Sequence, residues 1–586
     1  MQYFLKEKIG NSELYTGRKR EMVDILKWIE KIKPELSMSM AILSRRKTGK
    51  TSFLQRLYNI IFHKNDGVIP FYYEIIESDQ YIIEFSKQFF LTFIYQYIAF
   101  KTRKIKYLNY SIQDYSLAIQ SAKNEGQNHL IPFITDIRLA EKNESHGIIW
   151  DIARDAPRKI CLVHDERVVQ MIDEFQYLNR KIYLDKTKTH LIKDLAASYL
   201  HTAEYKNAPL LIAGSWIGWL MSDVNSMLPG RFIYFPFKNL TKEESIEMIH
   251  RYSDIEQISI SEQSAFLISE LSEGNPFYIS SFFRSQFPDK NLTTKEGVIQ
   301  TLEYEILDQN GIIRNTWSEY LNYALSTVNN IHAKRIVLYL CKNKNRRIPR
   351  YELKKELNLK MTDQDLEKKM NSLIMSDIIN SGGSRYKYQA IQDNVFEKVF
   401  MAEFGGDIES FDPEHDIAVS YKKLMNAFEK KFKKIQGKLN RTKGVYAEYA
   451  LIDLIKYHAF KSKYNKRIQS MFVNLPNSFE FVQYERVWTY TASPLHKKNI
   501  QIDIFAKAKP EFYSIIGEVK KRKSPFTVKE AKIFLEKANS LKSIEHIKKA
   551  ILMIYCEGGF YKNTVQFMKK HDMSWCDDEN LLSVID

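Results

Sequence analysis

The spacing of apolar and polar residues changes repeatedly along the chain, and each change marks an element. Arg20–Ile32 reads as a helix, and the short apolar run Met40–Leu43 as a buried strand. A loop follows, and another helix opens at about Lys50. Val68–Ile75 reads as a strand and Ser78–Phe100 as a long helix. Val168–Ile172 and Leu210–Ala213 read as further strands. Residues 101–165 between them are polar and helical, with no assignable role. Strands separated by helices predict a parallel sheet covered by helices. Residues 240–325 look helical throughout.

A different rhythm begins near residue 332. Helical runs at Ala333–Cys341, Arg350–Leu357 and Gln364–Met375 precede DIINSGGSRYKYQAI, which reads as strand, Gly-Gly turn, strand. Three helices and a hairpin are the plan of a winged helix. The acidic, Gly-rich stretch Phe404–Asp416 reads as a linker. The chain is therefore expected to be a multidomain α/β protein. A parallel-sheet P-loop core spans 1–238, a helical lid 239–328, a winged helix 329–402, a linker 403–416 and a second α/β domain 417–586.

The loop between the first strand and its helix carries candidate chemistry. Ser44–Thr51 reads SRRKTGKT, close to the phosphate-binding pattern GxxxxGK[ST] and in the strand–loop–helix context that pattern requires. In such a loop, backbone N–H groups and the positive helix end cradle phosphates. Lys47, Thr48, Gly49 and Ser52 would form the cradle. Lys50 would reach the outer phosphates, and the Thr51 hydroxyl would bind Mg²⁺. Ser44 stands where the pattern has glycine, and serine tolerates a positive φ less well. Binding of ATP is accordingly expected more firmly than rapid hydrolysis.

Asp173-Glu174 closes the strand VVQMI, at the carboxyl edge where a doubly wound sheet binds ligands. Asp173 would hold the metal shell and Glu174 would polarise the attacking water. Ser215 follows the strand Leu210–Ala213 and could sense the γ-phosphate, or simply form a turn. Arg231, after Gly230, is a candidate cation for the γ-phosphate charge.

Six segments together, TGRKREM, SRRKTGKTSFL, IDEFQYL, AGSWIG, GRF and EGNPFYI, resemble the archaeal-type ATPases of the signal-transducing (STAND) branch of AAA+-related P-loop enzymes. The likeness spans about residues 14–280. It implies that Gly17 and Arg18 lie near the adenine, that Ser215 is the sensor position, and that Gly274-Asn275-Pro276 approaches the nucleotide from the lid. It further implies that the winged helix packs on the ATPase and relays its state. Direct DNA reading by that module, through Gln364–Met375 with Lys368 and Lys369, stays open beside the relay.

The C-terminal domain has its own constellation. Asn499–Lys523 reads as a hairpin turning at Lys507–Glu511, with Ile500, Ile502 and Ile504 on one face and Asp503 on the other. Glu518 and Lys520 share a face of the second strand and come beside Asp503. Two such carboxylates can hold Mg²⁺ or Mn²⁺, and the lysine can position water near a scissile phosphate. Glu448 lies on the apolar stripe of the helix Gly444–Ile455, costly unless it has a partner such as a metal. Glu448, Asp503, Glu518 and Lys520 resemble the PD-(D/E)xK nuclease core, over about residues 420–570. The alternative is a set of exposed charges on an edge hairpin. Tyr484, Trp488, Tyr490 and Phe505 could stack on bases or belong to the core.

Charge sharpens the contrast between the two halves. Residues 415–586 hold 32 Lys and Arg against 18 Asp and Glu, nearly all of the chain's net +16. Such a domain-confined excess suits a phosphate backbone, and also a solubilising surface. No apolar run approaches the roughly 20 residues of a membrane span, and the N-terminus does not read as a secretory signal. Four scattered cysteines have no zinc spacing and read as reduced thiols of a cytoplasmic protein. The composite expectation is an ATP-dependent switch coupled to a Mg²⁺-dependent DNA nuclease, with defence or mobile-element biology as the implied setting. The competing reading is an ATP-dependent DNA-binding or signalling protein with a non-catalytic basic clamp. Self-assembly into a homo-oligomer stays open.

Overall fold

The structure, a computed structural model, describes residues 4–110, 112, 114–215, 217–327, 332–381, 386–408, 444–491 and 500–584. It divides into two compact units, Met1–Lys423 and Leu424–Asp586.

In the first unit, five strands form one parallel sheet. They are β1 (Ser39–Leu43), β2 (Val68–Glu74), β3 (Arg167–Asp173), β4 (Leu210–Gly214) and β5 (Phe232–Pro236), in the order β2-β3-β4-β1-β5. β4 is wholly buried and β1 and β3 nearly so, hence their uninterrupted apolar runs. β5 is the strand that periodicity missed, because only Phe232 of its five side chains is buried. Helix α1 (Lys19–Glu30) precedes the sheet, and α2 (Lys50–Lys64) leaves the carboxyl end of β1.

The apolar helix α3 (Ile82–Thr102) buries aromatic residues on nearly every side. It can do so because residues 101–165 fold back over it as α4 (Tyr115–Asn124), α5 (Leu130–Lys142) and α6 (His146–Val163). Phe85 and Phe89 meet Trp150 of α6 at centroid distances of 5.1 and 5.5 Å. The stretch that lacked an assignable role is thus the outer cover of the sheet. Helix α7 (Ile217–Met227) follows β4.

Five helices come next, as expected for the lid: α8 (Lys242–Glu256), α9 (Glu262–Leu271), α10 (Pro276–Arg284), α11 (Lys295–Leu307) and α12 (Ile312–Thr327). Then α13 (Ala333–Lys342), α14 (Arg350–Glu356) and α15 (Asp363–Met375) surround a three-stranded antiparallel sheet. Its strands are β6 (Ile348–Pro349), β7 (Ile379–Ser381) and β8 (Lys387–Ala390), in the order β6-β8-β7. The Gly-Gly turn expected there lies outside the described residues. The linker expected from 403 is corrected in part. Helix α16 (Asn394–Ile408) runs into it, anchored by Phe400 against buried Phe404 at 5.1 Å. The rest of the expected linker, and residues 417–443 of the next domain, are outside the described residues.

The second unit is a mixed five-stranded sheet between helices. Strands β9 (Arg486–Thr491), β10 (Gln501–Lys507) and β11 (Ser514–Lys520) are antiparallel neighbours. β12 (Ala550–Cys556) and β13 (Met573–Cys576) continue the sheet in parallel with β11. Residues 444–453 form α17, which continues through a π turn at Leu454–His458; α18 (Ser462–Met471) follows. One face of the sheet packs Ile504, Ala506 and Val519 with Ala447, Leu451 and Ile455 of the α17 segment. The other packs Ile502, Phe505 and Ile516 with α19 (Val528–Ile544). Helix α20 (Lys562–Lys570) completes the unit.

The expected alternation in β10 is corrected here. Trp488 pairs with Phe505 and Tyr490 with Ile502, so Thr489 alone stands opposite Asp503 and Ile504. This bulge puts Ile502 and Ile504 on opposite faces instead of one, with Asp503 at the kink.

Candidate functional site

Phe53 N–H bonds to the Gly49 carbonyl as α2 begins, so the N–H groups ahead of it have no helical acceptor. The loop that presents them has left-handed backbone at Lys47 (φ 65°) and Gly49 (φ 90°), but not at Ser44. The serine therefore meets none of the strain expected of it. Its hydroxyl is instead buried against that of Thr48, and Thr48 Oγ1 donates to the Arg45 carbonyl at 2.9 Å. Lys50 Nζ donates to the carbonyls of Ser44 and Arg45, at 3.0 and 2.7 Å. Burial pulls the Lys50 ammonium down to about 8, against the pull of Glu174 and Asp173.

Asp173 ends β3 fully buried. It accepts from Thr51 Oγ1 at 2.7 Å, which joins the strand end to the start of α2. Burial, and then the adjacent Glu174, push its carboxyl up to about 7. Glu174 has a left-handed backbone (φ 55°), which turns its side chain away from Asp173 and toward β4. There its carboxylate accepts from Ser215 Oγ, from Ser215 N–H at 3.3 Å, and from Gln176 Nε2. Glu174 and Ser215, given separate roles from the sequence, are thus in direct contact.

These groups open onto a cavity of about 500 Å³. Lys47–Ser52, Glu174 and Ser215 form its floor, and Pro276, Phe277 and Ser280 of α10 close it from the lid. Gly274 sets that approach. Its φ is +72°, and a Cβ there would lie 2.2 Å from the Leu240 carbonyl oxygen. Asn275 then caps α10, its side chain accepting from Phe277 N–H at 2.9 Å.

Three expected residues sit elsewhere. Gly17 packs against Leu240 and Glu244, and Arg18 is buried behind the loop; neither lines the cavity. Arg18 Nη2 donates to the Thr48 carbonyl at 3.0 Å, its other nitrogen bonds the Lys238 carbonyl, and its guanidinium covers Phe237 at 3.9 Å. It braces the loop. Arg231 pairs with Glu204 at 2.8 Å and the Pro229 carbonyl at 2.7 Å, away from the cavity lining. The other cations that line the cavity are Arg46 within the motif, Lys8 ahead of it and, on α10, Arg284. Arg284 follows the Gly-Asn-Pro turn by one helix length, a relation visible only once the lid is folded.

The loop also touches the third module. Arg45 pairs with Asp393, which accepts from Tyr278 of α10 as well. Helix α15, the candidate DNA reader, packs against α7 behind Ser215. Its Asp363 and Glu367 pair with Arg350.

In the second unit, the hairpin brings the expected residues together. Lys520 Nζ lies 2.6 Å from Glu518 Oε1 and 3.4 Å from Asp503 Oδ2. Asp503 Oδ2 also accepts the Val519 N–H at 2.9 Å. Burial lifts the Glu518 carboxyl above its usual range, with Asp503 adding to it. Burial works against the Lys520 charge, but Glu518 and Asp503 outweigh it and hold the ammonium above its ordinary value. Glu448 faces the same group from the helix, its carboxyl pushed up to about 7 by burial and then by Asp503. Among the described residues no cluster of three or more His, Cys, Asp or Glu is arranged to hold a metal ion. Here the Lys520 ammonium stands as counter-charge to both strand carboxylates.

Of the aromatic residues considered for base stacking, Tyr484, Tyr490 and Phe505 are core. The four cysteines are free and buried, and no described helix is long and apolar enough to cross a membrane.

No protein-family model matches the sequence, and no curated protein matches it. Among solved structures, the Walker-type ATPase PABY2304 of Pyrococcus abyssi aligns at 16% identity over 68% of this chain and 99% of its own, with TM-score 0.43. The ORC2 protein of Aeropyrum pernix aligns at 12% identity over 67% and 96%, with TM-score 0.37. The RuvB Holliday junction branch migration motor of Thermotoga maritima aligns at 12% over 67% and 96%, with TM-score 0.30. At TM-scores below 0.5 these likenesses carry no weight for function.

Proposed function

We propose that this chain is an ATP-binding and ATP-hydrolysing switch that controls a metal-dependent DNA nuclease in its C-terminal unit. The observation that carries the reading is the convergence of Lys50, Thr51, Glu174 and Ser215 on one cavity, with Asp173 buried directly behind Thr51. That cavity has the size of a nucleotide pocket and a phosphate cradle at its floor.

In this reading Lys50 leaves the loop carbonyls for the β- and γ-phosphates, and Lys47, Thr48, Gly49 and Ser52 supply the backbone cradle. Thr51 and Asp173 would hold Mg²⁺, which offsets phosphate charge when bound. Glu174, gripped by Ser215 and Gln176, orients the attacking water. Ser215 then reports the state of the γ-phosphate to α7, which carries α15. Arg284 and Arg46 replace Arg231 as the cations for the triphosphate. Ile9, Met248 and Tyr252 offer the base an apolar wall.

The three-helix, three-strand module is read as a winged helix acting as a relay. Its candidate reading helix is engaged with α7, and Asp393 grips Arg45. In the C-terminal unit, Asp503 and Glu518 would hold Mg²⁺ or Mn²⁺ once Lys520 turns toward the substrate, with Glu448 as an outer carboxylate. The mixed sheet and the bulge at Asp503 support this reading. The position of Lys520 on both carboxylates favours a second reading, in which the unit is a basic clamp without chemistry.

A cleavage assay with and without ATP and Mn²⁺ separates the two. Metal-dependent cutting that Asp503→Ala abolishes and Lys50→Ala alters supports the nuclease. Salt-sensitive DNA binding that survives Asp503→Ala, with no product under any condition, supports the clamp.

A further inference from the structure

The helix that carries Glu448 has a second pattern on its outer side. Ala447, Leu451, Leu454 and Ile455 are buried against the sheet. On the opposite side Tyr446 is 66% exposed and Tyr449 68%, with Tyr457 at 49% beyond them. Residues three and four apart on a helix are neighbours, so these rings form a stripe and not scattered points. A large phenol ring left in water next to a well-packed core is the kind of exposed aromatic surface that marks an interaction site.

The charges around the stripe are predominantly positive, with the exposed Asp453 as the acidic exception. Lys456, Lys461, Lys463, Lys466 and Arg467 are exposed, and among the described residues none has a carboxylate partner. Asp453, the acidic residue in their midst, turns to His458 at 3.8 Å. Lys456 lies 4.8 Å from the Tyr457 ring centroid, and Lys463 lies 5.1 Å from that of Tyr464.

Exposed cations interleaved with exposed rings answer to a ligand that is both polyanionic and flat-faced. A nucleic-acid strand is one: phosphates meet the cations and base faces meet the rings. In a duplex the base faces are hidden in the stack, so the rings would find only sugar and phosphate. The combination therefore selects for unpaired bases.

We propose that Tyr446 and Tyr449 form a stacking platform for single-stranded nucleic acid, with the surrounding lysines holding its backbone. Glu448 lies on the flank between platform and sheet, so a strand on the rings leads to Asp503, Glu518 and Lys520. This last step rests on the nuclease reading, whereas the binding itself does not.

The test uses full-length protein without metal, so that binding is measured apart from cutting. A fluorescein-labelled 20-nucleotide DNA strand and the blunt duplex of the same sequence are titrated by anisotropy. The wild type should bind the single strand tighter. Removing a stacking ring should weaken that binding by about tenfold per ring. Tyr446→Ala/Tyr449→Ala should therefore lose single-strand affinity and keep duplex affinity. Tyr446→Phe/Tyr449→Phe keeps the rings and should stay within about threefold of wild type, which separates stacking from misfolding.

Equal single-strand affinity in the alanine variant and the wild type overturns the platform. So does a preference for duplex, or the absence of nucleic-acid binding at low salt. A switch of the alanine variant from oligomer to monomer in sedimentation also overturns it, because the stripe is then an interface between copies. If the alanine variant loses the single strand and wild-type protein never cuts with Mn²⁺, the platform stands and the nuclease reading falls. Cutting that persists alongside unchanged binding in the alanine variant gives the converse.

Discussion

Arg45 of the phosphate loop is ion-paired with Asp393, nearly 350 residues away, at 3.2 Å. The aspartate accepts from Tyr278 of the lid at 2.9 Å and caps α16 through the Phe396 N–H at 2.9 Å. One carboxylate thus ties together the loop, the lid and the third module. The pair is largely withdrawn from solvent, so breaking one side leaves the other charge poorly compensated. Urea unfolding of Arg45→Gln, Asp393→Asn and the double variant should give a coupling energy of about 1–2 kcal/mol. Additive single effects would mean that the loop and the third module are not energetically joined through this pair.

Binding and turnover should separate within the pocket. Under the proposed reading Lys50→Ala removes the cation for the outer phosphates and should reduce ATP affinity at least tenfold in calorimetric titration. Glu174→Gln keeps the contacts of Ser215 and Gln176 but loses the carboxylate charge. It should bind ATP within about threefold of wild type while phosphate release falls about a hundredfold, in line with the roughly 10²–10⁴-fold contribution of a positioned general base.

Glu273 gives a pH signature. Burial, and then Asp393, push its carboxyl up from its ordinary 4.5 to about 7. A carboxyl raised by folding stabilises the folded state when protonated. Its contribution is complete below about 4.5 and is lost as pH rises through about 7. Stability of the first unit should therefore fall across that window. Glu273→Gln, which keeps an oxygen for Asn394, should match wild type at pH 4.5. Above pH 7.5 it should be more stable by about 1–2 kcal/mol, after allowance for partial exposure. Parallel pH profiles of the two proteins in thermal melts would exclude the effect.

The bulge predicts an unusual tolerance. Asp503 is the extra residue opposite Thr489. Deleting it should restore plain alternation, with Ile502 and Ile504 already on their proper faces. The deletion variant should lose the Val519 and Lys520 contacts, about 1–2 kcal/mol, but retain its circular dichroism and cooperative melt. Deleting Ile504 instead removes a core side chain and should unfold the unit.

The first unit was legible in the sequence wherever a motif fixes backbone and chemistry together. Thr51 meets Asp173 and Glu174 meets Ser215, two contacts made at the carboxyl edge of the sheet. Arg231 and Arg18 lie outside the cavity lining, because an arginine reaches far and sequence spacing does not say in which direction. Arg284 was missed because the lid turn at Gly274 aims α10 at the cavity. The cover over α3 was illegible, since amphipathic helices of ordinary composition do not state what they cover. In the second unit the cluster of Asp503, Glu518 and Lys520 was legible from strand spacing alone. The bulge was not, because Ile502 and Ile504 look like partners on one face until Trp488 and Tyr490 set the register. Of the aromatic residues left open between stacking and core, Tyr484, Tyr490 and Phe505 proved core, whereas Tyr446 and Tyr449 sit on a helix already assigned to Glu448.

The bulge also bears on how such a domain can age in a lineage. The residue with the strongest claim to chemistry is the one that the sheet has no structural place for. Its loss by deletion leaves both cores filled and forfeits only its contacts to Val519 and Lys520, so selection for folding protects it weakly. Under the nuclease reading, activity and fold are inherited on separate terms here, and descendants that kept the scaffold as a binding module while shedding the reaction would be an expected outcome of ordinary mutation.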